Sequence, residues 1–215
     1  MSRGKFIVLC GIDGSGKSSV IKSLTQEGAV FENFSVMKHP PKAWFDNPKI
    51  CAAYLDGEGE KIEDEDEIAY VHELRRQEEK EIMLPKLQNS ENLIFHRYIF
   101  SLYAYYIGID KYTIEQLTDI YSDLLLPDKV IYLKMGLEEF YVRFQHKTQL
   151  SYQKNPEYVK RVMRCYEELA ELYQWDIVDT EHNDIETVTT QVRKIIENVK
   201  VDNAFRDLKK REYHI

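Results

Sequence analysis

Long hydrophobic runs are absent from this chain of 215 residues, and no apolar stretch approaches the ~18 residues that a membrane-spanning helix needs. The N-terminus has no recognisable secretory signal peptide. Cysteine is scarce, and Cys10, Cys51 and Cys165 are spaced neither as a disulfide framework nor as a metal site. A sparse, odd cysteine count is typical of a reducing compartment, so we expect a cytoplasmic protein. Since long apolar runs are absent, we also expect no membrane partner.

Basic residues are also fewer than acidic residues. The chain has 29 Lys and Arg against 37 Asp and Glu, which gives a formal net charge of −8. Such a charge argues against general affinity for nucleic acid or anionic membranes. It leaves room for a small phosphate-rich substrate, because a few local cations suffice to bind one. With 43% hydrophobic and 31% charged residues, we expect one globular domain over residues 1–200 and a polar tail over 201–215.

Strand and helix patterns alternate along the chain, which predicts an α/β fold with a doubly wound, five-stranded parallel sheet flanked by helices. The predicted strands are short apolar runs at 5–10, 35–39, 92–95, 129–133 and 175–178. Helices are predicted at 18–24, 67–88, 155–173 and 185–199. Eight acidic residues between positions 56 and 67 predict a solvated loop, with a metal site as the less favoured alternative.

The most informative segment is Gly-Ile-Asp-Gly-Ser-Gly-Lys-Ser at 11–18, which fits the phosphate-loop pattern G-x-x-x-x-G-K-[ST] in full. It lies between a predicted strand and a predicted helix, which is the context that this motif requires. The glycines let successive backbone N–H groups point at one anion, and the helix N-terminus adds partial positive charge. The segment therefore predicts a nucleoside triphosphate site. The expected contacts come from Gly11, Gly14, Ser15, Gly16, Lys17, Ser18 and Ser19.

Three side chains of this loop have expected chemical roles. Lys17 neutralises the outer phosphates, and the Ser18 hydroxyl binds Mg²⁺. Asp13 would repel a triphosphate, because a carboxylate carries the same sign of charge. We therefore expect Asp13 to accept a hydrogen bond from a substrate hydroxyl or to orient a Mg²⁺-bound water.

A second group of candidates follows from the predicted sheet. Ligands of a doubly wound sheet gather at the carboxyl ends of its strands, which makes His39, His96, Arg97, Tyr98 and Asp179 candidates beside the phosphate loop. Arg97 ranks first, because a guanidinium just beyond a strand end can hold a phosphate with two parallel hydrogen bonds. An Arg that caps a helix or pairs with a surface acid is the structural alternative.

Further cations lie away from the strand ends. Arg75 and Arg76 lie on the helix predicted at 67–88, where one can face a cleft while the other forms a surface ion pair. A polar segment is bracketed by Arg143, His146, Lys147 and Lys154. We expect a lid at about 144–156 that delivers positive charge to a transferring phosphate, with an ordinary charged helix end as the alternative.

These segments together resemble the thymidylate kinase family of nucleoside monophosphate kinases, over residues 5–197. The phosphate loop has the family's acid in third place, at Asp13. Leu-Arg-Arg-Gln at 74–77 is similar to the helix on which family members carry a base-reading Arg. His-Arg-Tyr at 96–98 resembles the family's Asp-Arg-Tyr segment, and 126–133 resembles its Pro-Asp strand.

The resemblance implies a transfer of the γ-phosphoryl group from ATP, with Mg²⁺, to a deoxynucleoside monophosphate, with dTMP as the first choice. It implies that Arg97 binds the acceptor phosphate and that Asp13 contacts the sugar 3′-hydroxyl. It also implies that Arg75 reads the base edge, and that Tyr98 or Tyr105 excludes a ribose 2′-hydroxyl or packs on the base.

The resemblance extends to the lid and to the adenine side of the site. It implies that Arg143 and Lys147 are lid cations, that Lys42 touches the acceptor phosphate and that Asp179 lies near the adenine. A homodimer is also implied, since the family is commonly dimeric. The candidate catalytic residues are Asp13, Lys17, His96, Arg97, Arg143 and Lys147.

Three positions depart from the family pattern. His96 stands where the family has Asp, and we expect this imidazole to be a poor Mg²⁺ partner that becomes a cation at mildly acid pH. Val71 lies where an aromatic residue usually stacks on the base, and Gln153 lies where a lid Glu is usual. Two alternatives therefore stay open. The chain is a kinase of the same fold for another acceptor (a deoxynucleoside, a modified nucleotide or a modified DNA base), or a non-catalytic nucleotide-binding protein.

Overall fold

The structure of the protein is a computed structural model that describes residues 3–39, 41, 65–108, 112–145 and 154–201. Several predicted features lie outside these residues. They are Lys42, residues 56–64 of the acidic stretch, lid residues 146–153 with Lys147, and the tail beyond residue 201. The acidic stretch ends in a helix rather than a loop, because its last residues begin Glu65–Glu78.

The five predicted strands are confirmed, and they form one parallel sheet in the described residues. They are β1 Phe6–Cys10, β2 Ser35–Lys38, β3 Leu93–His96, β4 Lys129–Lys134 and β5 Asp176–Asp179. Their order in the sheet is β2-β3-β1-β4-β5. Every residue of the central strand β1 is buried, as expected for a parallel strand that is covered on both faces.

Eight α-helices are present in the described residues. They are α1 Lys17–Thr25, α2 Glu65–Glu78, α3 Leu84–Gln88, α4 Ile99–Gly108, α5 Ile114–Ile120, α6 Leu137–Phe144, α7 Pro156–Leu172 and α8 Ile185–Glu197. None of these eight is both long enough and apolar enough to cross a membrane. At the start of α7, Asn155 Oδ1 accepts hydrogen bonds from the backbone N–H groups of Glu157 and Tyr158, which is the N-cap that the sequence favours.

The alternation of side chains along β1 divides the core into two layers. Phe6, Val8 and Cys10 belong to a large cluster that includes residues of α4 and α7. Ile7 and Leu9 belong to a second cluster with residues of α1 and α8. A one-residue shift of β1 would exchange these two sets of side chains, so burial on both faces fixes the register of the strand.

The register of the central strands brings two chain segments to the same edge of the sheet. β1 pairs with β3 so that Leu9 lies beside His96. The backbone N–H of Arg97 then donates to the Leu9 carbonyl at 3.0 Å. Because the phosphate loop follows β1 directly, residues 96 and 97 lie next to it at the carboxyl edge.

The helical segment predicted at 67–88 contains one π-helical turn. Glu79–Met83 forms this turn between α2 and α3. The backbone N–H of Leu84 donates to the Glu79 carbonyl, five residues back, and Pro85 follows with no N–H to donate. Single π turns inside α-helices occur frequently at functional sites, and this one lies beside the buried charges described below.

The helices α4 and α7 are in close contact at Gly108. A Cβ added to Gly108 would lie 2.7 Å from Val162 Cγ2 and 3.1 Å from Tyr158 Cε2. Both of these α7 residues are buried. Since α4 also carries Ser101 and Tyr105, the spacing of the two helices controls where those side chains lie at the carboxyl edge.

We predict that Gly108→Ala lowers the free energy of unfolding by about 1–3 kcal/mol, because the new methyl group overpacks the contact with Val162. Urea unfolding measures this change. In the double variant Gly108→Ala with Val162→Ala, the space left by Val162 accommodates the methyl group. The two changes should therefore couple favourably, by more than about 0.5 kcal/mol. Strictly additive effects would contradict the close contact of α4 with α7.

Candidate active site

The phosphate loop has the backbone conformation that its glycines permit. Gly11, Gly14 and Gly16 have φ angles of 138°, 78° and 88°, which other residues rarely adopt. Two of these positions also lack space for a side chain. A Cβ at Gly11 would lie 2.6 Å from the Leu133 carbonyl oxygen, and one at Gly14 would lie 2.6 Å from Phe144 Cε2. The loop ends at the N-terminus of α1, where unpaired N–H groups favour an anion.

Lys17 lies inside this loop and is almost fully buried. Its Nζ donates to the carbonyl oxygens of Gly11 at 2.9 Å and Ile12 at 2.7 Å, and to Ser15 Oγ at 3.1 Å. Burial lowers the pKa of Lys17, and the nearby Arg97 guanidinium lowers it further. The ammonium therefore links three oxygen atoms of the loop. A phosphate that binds Lys17 replaces these oxygen acceptors.

Ser18 and His96 form a polar pair between α1 and β3. Ser18 Oγ lies 3.0 Å from His96 Nε2. Burial lowers the pKa of His96 to about 3, and the positive charges of Lys17, Arg97 and Lys38 contribute to this shift. The expectation that His96 becomes a cation at mildly acid pH is therefore wrong, because protonation would add a further charge beside three cations.

Arg97 is paired with the acid of the phosphate loop. Its Nη2 donates to Asp13 Oδ1 at 2.5 Å, and its Nη1 donates to the Tyr166 hydroxyl at 3.1 Å. The φ angle of Arg97 is 71°, in the left-handed region that a residue other than glycine seldom occupies. Such residues keep this conformation only where their surroundings fix it, and they cluster at functional sites. The backbone and both hydrogen bonds therefore fix the direction of this guanidinium.

Two tyrosines complete the surroundings of Arg97. The ring centre of Tyr105 lies 5.3 Å from the guanidinium carbon of Arg97, and its hydroxyl lies 3.4 Å from Asp13 Oδ2. The hydroxyl of Tyr166 donates to Ser101 Oγ at 3.1 Å. Of the two tyrosines that the resemblance singles out, Tyr105 is the one that contacts the Asp13–Arg97 pair.

Arg75 belongs to a separate, buried group of charges. Its side chain is fully buried and donates to Glu78, and its guanidinium carbon lies 5.3 Å from the ring centre of Tyr98. Tyr98 is fully buried as well, and its hydroxyl donates to the Leu125 carbonyl at 3.1 Å. Burial lowers the pKa of Arg75 and raises that of Glu78, and it raises the pKa of Glu79 to about 7. The expected contacts of Arg75 and Tyr98 with a nucleotide stay predictions.

Arg143 joins two loops at the carboxyl edge. Its Nη1 donates to the Gly14 carbonyl at 3.0 Å, and its Nη2 donates to the Thr180 carbonyl. Its Nε donates to Glu139 Oε1 at 2.6 Å, within the same helix. Thr180 follows Asp179, whose carboxylate accepts hydrogen bonds from the turn after β5. Arg143 thus supports the phosphate loop, and its expected role as a lid cation stays a prediction.

The structure brings most of the described candidates together around the phosphate loop. They are Asp13, Lys17, Ser18, His96, Arg97, Tyr105 and Arg143. Ser19 is exposed on α1. Sequence reasoning missed Glu139 and Thr180. The Glu139–Arg143 spacing is that of an ordinary surface ion pair, and a backbone carbonyl such as that of Thr180 has no residue-type signal.

Comparison with known proteins supports the resemblance seen in the sequence. The thymidylate kinase family model matches residues 9–192 of the chain. A probable thymidylate kinase of Thermococcus kodakarensis is 30% identical over 206 residues, which cover 90% of this chain and 98% of that protein. The thymidylate kinase of Mycoplasmopsis agalactiae is 27% identical over 214 residues, which cover 94% and 99%. The alignment with the Leptospira borgpetersenii enzyme is 31% identical over 138 residues, which cover 61% and 63%.

A solved structure extends the comparison to the fold. The thymidylate kinase of Candida albicans superimposes with a TM-score of 0.76 at 22% identity, over 97% of this chain and 99% of that one. The predicted fold class, a five-stranded parallel sheet flanked by helices with a phosphate loop after the first strand, is thereby confirmed.

We predict that His96 makes the protein less stable as the pH falls. Its pKa is about 3 in the folded state, whereas an unfolded His has a pKa of about 6.5. Between these values the unfolded chain binds a proton that the folded chain does not, so the free energy of unfolding decreases with falling pH and is unaffected above about pH 6.5. Urea unfolding of His96→Gln from pH 7 to pH 4 should show a weaker acid dependence than the original protein.

The control for this prediction is His182→Gln. The Asp179 carboxylate raises the pKa of the exposed His182, so His182 stabilises the folded chain below about pH 6.5 and this contribution disappears as the pH rises through its folded pKa. Its replacement should therefore change the pH dependence in the opposite direction. If the free energy of unfolding had the same pH dependence in His96→Gln and the original protein, the assignment of a neutral His96 would be contradicted.

We also predict that Glu78→Gln lowers the free energy of unfolding by about 3–5 kcal/mol, since it removes the carboxylate that faces the buried Arg75 guanidinium. Thermal and urea unfolding measure the loss. Glu73→Gln is the matched control on α2. Its ion pair with Arg76 is exposed and 3.9 Å long, so its loss should cost under about 0.5 kcal/mol. Equal effects of the two variants would show that Glu78 does not compensate a buried charge.

Proposed function

This chain is a member of the thymidylate kinase family, and on that premise we propose that it transfers the γ-phosphoryl group of ATP to dTMP, which gives dTDP and ADP. ATP binds at the phosphate loop, and the acceptor phosphate binds at Arg97. The observation that carries this proposal is the position of Arg97 beside the loop, where its guanidinium bonds to Asp13 at 2.5 Å. The choice of thymine as the base rests on family membership.

On the donor side, Lys17 exchanges its partners. The ammonium now donates to the carbonyl oxygens of Gly11 and Ile12. When ATP binds, it turns to phosphate oxygens, and their charge favours the protonated amine that burial disfavours. The loop N–H groups and the N-terminus of α1 complete the anion site. Arg143 holds the loop from outside through its bond to the Gly14 carbonyl.

On the acceptor side, the monophosphate replaces Asp13 as the partner of Arg97. The two anions compete for one guanidinium, so acceptor binding frees the Asp13 carboxylate to accept a hydrogen bond from a sugar hydroxyl. Tyr105 borders this position, since its hydroxyl lies 3.4 Å from Asp13 Oδ2. Transfer then depends on alignment of donor and acceptor and on neutralisation of charge by Lys17 and Arg97, with no covalent intermediate.

The Ser18 hydroxyl fits a divalent cation, which we propose to be supplied with the nucleotide. It is an exposed oxygen donor in the first turn of α1. Across the described ranges, no group of three or more His, Cys, Asp or Glu side chains could hold a metal ion by itself. ATP phosphate oxygens and Ser18 would therefore hold the cation together. When bound, a cation such as Mg²⁺ neutralises the charge on the transferred phosphoryl group.

Four further expectations stay predictions. Lys42 and Lys147 lie outside the described residues, so their roles at the acceptor phosphate and in the lid are untested. The homodimer and the cytoplasmic location are expected from the resemblance and the cysteine content alone.

The proposal predicts that ADP formation from ATP depends on dTMP. A coupled ADP assay with a panel of nucleoside monophosphates, deoxynucleosides and DNA should show dTMP as the preferred acceptor. Arg97→Lys keeps the charge but loses the forked pair of N–H donors, so the KM for dTMP should rise by about tenfold or more. The KM for ATP should change little, because the donor phosphates bind at the other side of the loop.

Arg193→Lys is the control for general effects of an Arg-to-Lys change. Arg193 is partly exposed on α8 and pairs with Glu197 at 3.7 Å, and it belongs to none of the groups around the loop, so both KM values should stay unchanged. ATP consumption that no monophosphate stimulates would contradict the proposal. Turnover with a different acceptor would show that the chain is a kinase of the same fold that phosphorylates another substrate. Nucleotide binding without turnover would favour a non-catalytic protein.

A further inference from the structure

Ser18 and His96 come from different elements, and the fold holds their side chains together. Ser18 lies in the first turn of α1, and His96 is the last residue of β3. Strand pairing fixes the backbone of His96 on both sides, with Leu9 of β1 on one side and Lys38 of β2 on the other. The imidazole therefore lies beside the phosphate loop at the end of a strand that is paired on both sides.

The separation of these side chains fits two neighbouring ligands on one metal ion. Ser18 Oγ and His96 Nε2 are 3.0 Å apart. Adjacent ligands of an octahedral ion also lie about 3 Å apart when each bond is about 2.1 Å long. A hydrogen bond donated by the Ser18 hydroxyl to His96 Nε2 corresponds to the tautomer that presents the Nε2 lone pair to Ser18. A cation bound by both atoms would take the place of their hydrogen bond while their separation stays the same.

An imidazole nitrogen changes which cation such a site prefers. Mg²⁺ takes oxygen ligands, whereas later first-row ions such as Co²⁺ bind imidazole well and Mn²⁺ accepts it. The carboxylate of the loop does not restore an all-oxygen site, because Asp13 is bonded to Arg97 at 2.5 Å. Ser18, phosphate oxygens and His96 together form a mixed oxygen and nitrogen ligand set.

We propose that His96 Nε2 and Ser18 Oγ are adjacent ligands of the nucleotide's divalent cation, and that His96 makes this chain select Co²⁺ or Mn²⁺ over Mg²⁺. This rests on the proposed function only in placing a nucleotide-bound cation at the phosphate loop. His96 is then the residue that determines metal preference, at a position where a carboxylate would favour Mg²⁺.

Electron spin-echo envelope modulation of Mn²⁺ detects a directly coordinated nitrogen and tests the proposal. The full chain is mixed with Mn²⁺ and ADP, without an acceptor, and compared with the same chain labelled with ¹⁵N at histidine. A nitrogen modulation that changes on labelling is expected, which separates the imidazole from the adenine nitrogens. The signal should disappear in His96→Asp. It should remain in His182→Asn, which removes an exposed imidazole beside Asp179.

Competition of Mg²⁺ and Co²⁺ for the Mn²⁺ site gives a second measurement. His96→Asp should shift the relative affinity from Co²⁺ toward Mg²⁺ by about tenfold or more. If that variant does not fold, the comparison of the unlabelled and the ¹⁵N-labelled original chain still tests whether a histidine nitrogen binds the cation. Failure of Mn²⁺ to bind with ADP, a bound Mn²⁺ signal without histidine nitrogen, or an unchanged cation preference would each overturn the proposal.

These measurements need no phosphoryl acceptor, so they separate the metal ligand from the proposed reaction. A dTMP-dependent kinase without the histidine signal would overturn the inference alone. A histidine signal in a protein that no dTMP stimulates would overturn the proposed function alone.

Discussion

The pairing of β1 with β3 is the constraint on which the rest of the site depends. Because Leu9 lies beside His96, the chain leaves both strands at one edge, and the Arg97 N–H bonds to the Leu9 carbonyl. This backbone bond determines where a guanidinium and a phosphate loop can meet. The ion pair with Asp13 is its consequence. Burial on both faces of β1 prevents a register shift that would separate them.

The cations around the loop have oxygen partners from within the protein. Lys17 bonds to loop carbonyls, Arg97 to Asp13, and Arg143 to the carbonyls of two loops. In a chain with a net charge of −8, these three positive charges lie close to one loop and are already paired. An anion that binds there exchanges partners with carbonyls and a carboxylate. Geometry thus selects the anion more than net attraction does, which disfavours an extended polyanion.

The sequence predicts the parts of this site that have local signals. Apolar runs identify the strands, a glycine motif identifies the loop, and the strand-end rule identifies Arg97. The direction of Arg75 has no such signal, because Arg75 and Arg76 are neighbours and the sequence does not show which of them faces the core. The packing of α2 decides that Arg75 is buried with Glu78. The carbonyl partners of Arg143 likewise depend on how distant loops meet.

The π turn at Glu79–Met83 determines how the long helical segment around it is oriented. Val71, Arg75, Met83 and Leu87 are all buried, and they are separated by multiples of four residues. In an uninterrupted α-helix each step of four residues overshoots a full turn by about 40°, so such a row would wind away from the sheet. The four steps from Val71 to Leu87 add up to about 160°, and the wider turn absorbs about one residue of rotation, about 100°, so the row ends within about 60° of its starting azimuth. One face therefore stays inward along the whole segment, and it carries a charged guanidinium into the interior along with its apolar neighbours.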